Sequence, residues 1–304
     1  MRAVAVALLA LALAGGAHAA WVERAPLPVP RSETAATAVG GRIVVAGGYT
    51  ADGRTSRRVD AYDPVRNRWT QLPDLPFGVN HPATASWRGE MFVIGGYRAN
   101  GRQTRAFFIL RHSHWIFGRS LPVGRGAAGA AVVGHALVVA GGIGPEGLAR
   151  AALVFDLERR RWRFVPGPDQ RDHLGVTAWK GRVYALAGRK ITRALNQATL
   201  QSWTPGERRW TTLPPVPNPR SGTGAAVIAG QIVSVGGETD TETIASVYAY
   251  DIARKRWRRL ADLPTPRHGL GVAAVGGRVY AVGGGPVPNL SVSEKNEALR
   301  LRAR

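Results

Sequence analysis

Five arginines stand at matching places along the chain: Arg31, Arg125, Arg171, Arg220 and Arg267, with Val79 at a sixth such place. A guanidinium group grips carboxylate, sulfate or phosphate with two parallel hydrogen bonds. A converging set would therefore make a cationic ring for an anionic ligand. Beside them lie Glu33, His81, Asp172, His173 and His268. Three histidines meeting on one face would suggest a metal, but they do not share one register and no pair has a recognised ligand spacing. The expectation is a polar rim, with no metal and no cofactor. Glu238, trailed by Asp240 and Glu242, is a carboxylate that could move a proton. The candidate ligand-binding set is Arg31, His81, Arg125, Arg171, His173, Arg220, Glu238, Arg267 and His268.

These residues can meet only if a repeat carries them to one end of the fold. A Gly-Gly pair ends an apolar run at Gly47, Gly95, Gly141, Gly236 and Gly283, and Ala187-Gly188 fills the gap. The recurrence is roughly every 46 to 49 residues, the period of a repeat architecture. Tryptophan keeps the same period at Trp21, Trp69, Trp115, Trp162, Trp210 and Trp257, and Tyr62, Phe108, Phe155, Trp203 and Tyr250 stand seven residues before five of them. One repeat reads as four strands: Thr34 to Val39, Ile43 to Ala46, Arg58 to Tyr62, and a fourth from Trp69. The Pro-rich stretch Leu72 to Pro76 then crosses to the next unit, where proline blocks further pairing. Counting sixteen residues back from each pair reaches the arginine positions at the start of the first strand.

The pattern predicts an all-β, six-bladed β-propeller over residues 20–304. A lone strand at Trp21 to Arg24 and an incomplete last repeat ending at Ser293 to Leu301 predict a ring closed by the N-terminal strand. Closure also protects strand edges.

The glycine pairs and the Tyr-x6-Trp signature resemble the kelch repeat, from Trp21 to about Leu301. That resemblance implies the propeller and, because kelch propellers serve many roles, a binding or interaction module. Gly237-Glu238 is similar to the bacterial sialic acid mutarotases, which are exported six-bladed kelch propellers. This likeness implies that Glu238, with arginines near it, interconverts the anomers of a sugar acid such as N-acetylneuraminate. In that family an arginine follows the glutamate, whereas here the chain runs Thr239-Asp240-Thr241-Glu242-Thr243-Ile244. Galactose oxidase, another kelch-like enzyme, joins a tyrosine to a cysteine. This chain has no Cys, which excludes that copper chemistry along with disulfides and thiol nucleophiles.

Arg2, the apolar run Ala3 to Ala14 and Ala17-His18-Ala19 read as a signal peptide over residues 1–19, cut after Ala19. The expected location is periplasmic or secreted, and the mature chain has no segment apolar enough to span a membrane. The formal net charge is +21. It gathers in the turns opposite the arginine positions: Arg66, Arg68, Arg159 to Arg161, Arg208, Arg209 and Arg254 to Arg256. Such a basic surface favours anionic partners: an anionic small molecule or glycan, or an envelope protein. Nucleic acid is not expected, because no aromatic platform is interleaved with the arginines. The chain is expected to be a monomer.

Overall fold

Gly40 and Gly41, both left-handed at φ +54° and +77°, turn Ala35–Val39 back onto Arg42–Ala46 as an antiparallel pair. Two-residue turns of this hand match the twist of the strands they join. Val59–Asp63 and Arg68–Leu72 complete the first four-stranded blade in chain order. The computed structural model describes residues 20–301, and the same four-stranded plan recurs in five further sheets. The inner strands Ala35–Val39, Ala83–Trp87, Gly129–Val133, Gly175–Trp179, Gly224–Ile228 and Gly271–Val275 touch one another in a closed circle. The molecule is a six-bladed β-propeller. The expected signal peptide, residues 1–19, lies outside the described residues.

Closure follows the sequence reading. Trp21–Glu23 pairs with Asn296–Arg300, with Trp21 opposite Leu299 and Glu23 opposite Glu297. It thereby becomes the outermost strand of the last blade.

The periodic tryptophans have a specific task. Each indole N–H donates to a backbone carbonyl at the exit of the preceding blade: Trp69 to Ala25 at 2.8 Å, Trp115 to Pro73 at 2.7 Å, Trp162 to Arg119 at 2.6 Å. Trp210 reaches Pro166 and Trp257 reaches Pro214, both at 2.8 Å, and Trp21 closes the circle on Ala261 at 2.9 Å. Between blades, apolar faces interlock. Ile43, Val45 and Tyr62 of the first blade, for example, pack with Tyr280 and Val282 of the last. A buried tyrosine or tryptophan thus supplies apolar area while its polar tip finds a partner.

The basic turns are exposed at Arg66, Arg68, Arg159 to Arg161, Arg208, Arg209 and Arg254 to Arg256. Part of that charge is answered locally, since Arg66, Arg159 and Arg254 pair with Asp63, Asp156 and Asp251. Among the described residues no helix is long and apolar enough to cross a membrane.

Candidate functional site

Two adjacent positions in each blade build the mouth of the channel. The residue after each arginine (after Val79 in the second blade) bridges the residue that follows the glycine pair: Ser32 with Tyr49, Asn80 with Tyr97, Asp172 with Arg189, Ser221 with Glu238. The next residue is left-handed in every blade: Glu33, His81, Ala127, His173, Gly222 and Gly269, with φ 47°, 49°, 52°, 52°, 61° and 56°. Their backbones form a ring. The N–H of His81 donates to Glu33 O at 2.8 Å, Ala127 to His81 at 3.1 Å, His173 to Ala127 at 3.0 Å, Gly222 to His173 at 3.0 Å and Gly269 to Gly222 at 2.9 Å. Thr34 N–H closes it on Gly269 O at 3.4 Å. All six positions line the top of the channel. Three carry functional side chains and three carry little or none, so one side of a six-fold scaffold is armed.

Glu33, His81 and His173 bring their ligand atoms within 4.8 Å of one another. His81 Nε2 lies 3.2 Å from Glu33 Oε2, and the His81 and His173 rings meet edge to face at 4.9 Å. His268 holds the other oxygen of Glu33, with Nδ1 at 3.1 Å from Oε1, while its Nε2 donates to Asn289 O at 2.9 Å. Gly269 is needed here, because a Cβ at that position would come within 2.5 Å of Glu33 Oε1. A short hairpin in the fourth blade, Arg189–Lys190 with Thr192–Asn196, delivers two cations. Arg189 Nη1 donates to Glu238 Oε1 at 2.9 Å and its Nη2 sits 3.0 Å from His173 Nε2. Arg193 Nη1 stands 3.7 Å from Glu238 Oε2. Glu238 is 2% exposed, and its Oε2 has no hydrogen-bond partner among the described residues. These groups surround a cavity of about 160 Å³ that Tyr49 also lines.

The five arginines do something else. Arg31, Arg125, Arg171, Arg220 and Arg267 are all buried, and each donates to the carbonyl of the residue sixteen positions on. The acceptors are Gly47 at 3.3 Å, Gly141 at 2.9 Å, Ala187 at 2.7 Å, Gly236 at 3.0 Å and Gly283 at 2.7 Å. Arg31 also meets buried Asp60, and Arg267 meets Glu297. Burial lowers Arg31, Arg125, Arg171 and Arg220 to about 10, so they stay charged at neutral pH. The expected cationic ring at the mouth is corrected: these guanidinium groups lie within the blades. They satisfy carbonyls left open where the chain swings out at the first residue of each pair. Such buried acceptors are costly when unpaired. Val79 fills the equivalent place with apolar core.

Residues 119–284 match the profile of the KLHDC2/KLHL20/DRC7 Kelch-repeats domain, and residues 30–76 match the Kelch motif. The chain belongs to the kelch-repeat family. It is similar to Kelch-like protein terF of Aspergillus terreus, 28% identical over 252 residues, covering 77% of this chain and 45% of that protein. It is also similar to Kelch-like protein 25 of Xenopus tropicalis, 26% identical over 240 residues, covering 76% of this chain and 33% of that one. The chain therefore spans less than half the length of these curated relatives. Kelch domains generally mediate protein interactions, and in this one His81, His173, His268 and Glu238 of the expected set converge.

Electrostatics at the kelch mouth are sharply divided. Burial alone would raise Glu33, but His81, His268 and His173 outweigh it and hold the carboxyl well below its usual range. Burial pushes His81 down to about 4, with Glu33 only partly opposing. His268 also feels burial, yet its bond to Glu33 and the charge of Glu238 leave it raised. Tyr97 is pushed up to about 12, by burial first and by Asp172 second.

Sequence reasoning missed Arg189, Arg193 and Asn80. Arg189 follows the degenerate pair Ala187-Gly188, where Tyr49, Tyr97 and Glu238 follow true glycine pairs. Applying the register through the missing glycine finds it. Local ligand spacing carries no information on whether Glu33, His81 and His173 meet, because each comes from a different blade.

Proposed function

We propose that this chain is an exported kelch propeller whose channel mouth binds a small carbohydrate acid. The observation that supports this most is the Glu238 carboxylate. It is buried and held on one oxygen by Arg189, its other oxygen accepts no hydrogen bond among the described residues, and Arg193 and His268 each stand 3.7 Å from that oxygen. A carboxylate oxygen with no hydrogen bond accepts a ligand hydroxyl, and the guanidinium of Arg193 can receive a ligand carboxylate. Tyr49 offers an edge for a sugar ring. The thermal stability of residues 20–304 is measured against neutral sugars and sugar acids at two salt concentrations. A ligand that binds the folded state raises the Tm with its concentration. A rise with sugar acids that disappears in Arg193→Ala is expected. No rise with any sugar would sink this reading and leave a protein partner as the occupant of the mouth.

A second reading is anomer exchange on the same ligand. It is favoured by the contact of Arg189 with Glu238, which places a cation beside the carboxylate from a neighbouring blade rather than from the loop after it. In such a site Glu238 would move the anomeric proton between oxygens while the arginines hold the acid group. Proton exchange between anomers, followed by NMR, should then accelerate with the protein and return to the spontaneous rate with Glu238→Gln. An accelerated rate that Glu238→Gln leaves intact would remove Glu238 from the reaction.

A further inference from the structure

We infer that Glu33, His81 and His173 bind a divalent first-row transition ion such as Zn²⁺ at the mouth of the channel. Two imidazoles and one carboxylate are a donor set suited to zinc. Three blades present them at the same left-handed position, so the backbone ring fixes their spacing. Their ligand atoms lie within 4.8 Å of one another, and the Glu33–His81 pair is already at 3.2 Å. Metal bonds of about 2.0–2.1 Å ask the remaining side chains to close by about an ångström.

An independent observation is how each ligand is held from behind. Asn80 Nδ2 donates to Thr55 Oγ1 at 2.9 Å, which turns Asn80 Oδ1 to His81 Nδ1 at 2.7 Å. With the amide in this orientation Asn80 Oδ1 accepts from His81 Nδ1–H, and Nε2 is the ring atom that faces Glu33. His173 Nδ1 bonds to the buried carboxylate of Asp172, which also accepts from the backbone N–H of Ile191 at 3.1 Å. His173 Nε2 is thereby left as the acceptor. Glu33 is steadied through Oε1 by His268, with Oε2 directed to His81. An acceptor behind each ligating histidine is the usual companion of a metal site, fixing both tautomer and ring orientation. Arg189 Nη2 now occupies His173 Nε2 at 3.0 Å. Metal entry displaces that one contact, while Arg189 Nη1 stays on Glu238. Glu238, whose Oε2 accepts no hydrogen bond among the described residues, lines the same cavity.

The inference is independent of the carbohydrate reading, since metal binding is measured on tag-free protein without sugar. Zn²⁺ titration by calorimetry should give one site per chain, and Co²⁺ should give the visible absorption of a protein-ligated ion. His81→Ala and His173→Ala should each weaken binding at least tenfold, while exposed His114→Ala leaves it unchanged. Asn80→Ala touches no ligand atom, so it keeps the test open if a ligand variant does not fold; it should weaken binding by about 10- to 100-fold. Absence of Zn²⁺ binding in the wild type would overturn the site. So would binding that survives His81→Ala, His173→Ala and Asn80→Ala alike, or that is lost with His114→Ala.

Discussion

Arg189 of the fourth blade and Glu238 of the fifth are joined at 2.9 Å, with side chains 14% and 3% exposed. A pair so withdrawn from water is coupled, but each partner keeps another contact: Arg189 Nε lies 3.3 Å from Asp172 Oδ1, and Glu238 Oε2 lies 3.7 Å from Arg193 and from His268. Arg189→Met alone and Glu238→Gln alone should each cost about 1–3 kcal/mol in urea unfolding. The double variant should cost less than the sum of the two, with a coupling of about 1–3 kcal/mol. Additive losses would show that the two charges are stabilised separately.

Gly269 and Gly40 share a left-handed backbone, at φ +56° and +54°, but differ in what surrounds them. Nothing lies near a Cβ at Gly40, whereas a Cβ at Gly269 meets the Glu33 carboxylate. Gly40→Ala should cost only the left-handed penalty, about 1–2 kcal/mol. Gly269→Ala should cost clearly more, and Glu33→Ala in the same chain should recover part of the difference, because the Glu33 backbone nitrogen also lies 2.9 Å from that Cβ. Equal losses from the two glycine variants in thermal unfolding would mean that the carboxylate yields freely.

Arg31 separates structure from binding. Arg31→Ala removes one of the two arginines on buried Asp60, Arg58 being the other, and leaves the Gly47 carbonyl open; it should destabilise the protein by about 1–3 kcal/mol. Affinity of the folded variant for any ligand of the mouth should remain at the wild-type value. A weakened affinity with unchanged stability would restore Arg31 to the ligand site.

The turns opposite the mouth contribute to the response to acid. Asp63 accepts the backbone N–H groups of Arg66 and Val65, which hold it at about 2; Asp156 and Asp251 are lowered in the same way, chiefly by the N–H groups of Arg159 and Arg254. A carboxyl lowered in the folded state binds its proton first in the unfolded state. Its stabilisation is therefore whole above the unfolded value of about 3.9 and drains away as pH falls toward the folded one. The Tm of Asp63→Ala should lie below wild type at pH 6, with the gap closing between about pH 4 and 2. A gap constant across that range would show that the turn does not depend on the charge.

The fold was legible because six copies repeat one pattern, and the lone Trp21 strand could only belong to the unfinished last repeat. The reason tryptophan recurs was not legible: an indole N–H reaching a carbonyl of the preceding blade is a contact between repeats, and periodicity reports only positions within them. The arginines show a similar limit. Register placed them correctly at the start of each inner strand, but register carries no information on whether a long side chain turns to the channel or into the blade. The open carbonyl of Gly47 and its counterparts decided that. At the mouth, His81, His173, His268 and Glu238 were readable from register, while Arg189 was hidden behind the Ala187 that replaces a glycine.

The pairing of Trp21 with Leu299 and of Glu23 with Glu297 puts residues 20 and 301 at the same end of the seam. Force applied between those two points would load the ladder one rung at a time, from Trp21 inward, peeling the strand away instead of shearing it. The strands of each of the other five blades come from one continuous stretch of chain. Under tension the ring would open at this seam first, at low force, with the remaining blades still stacked.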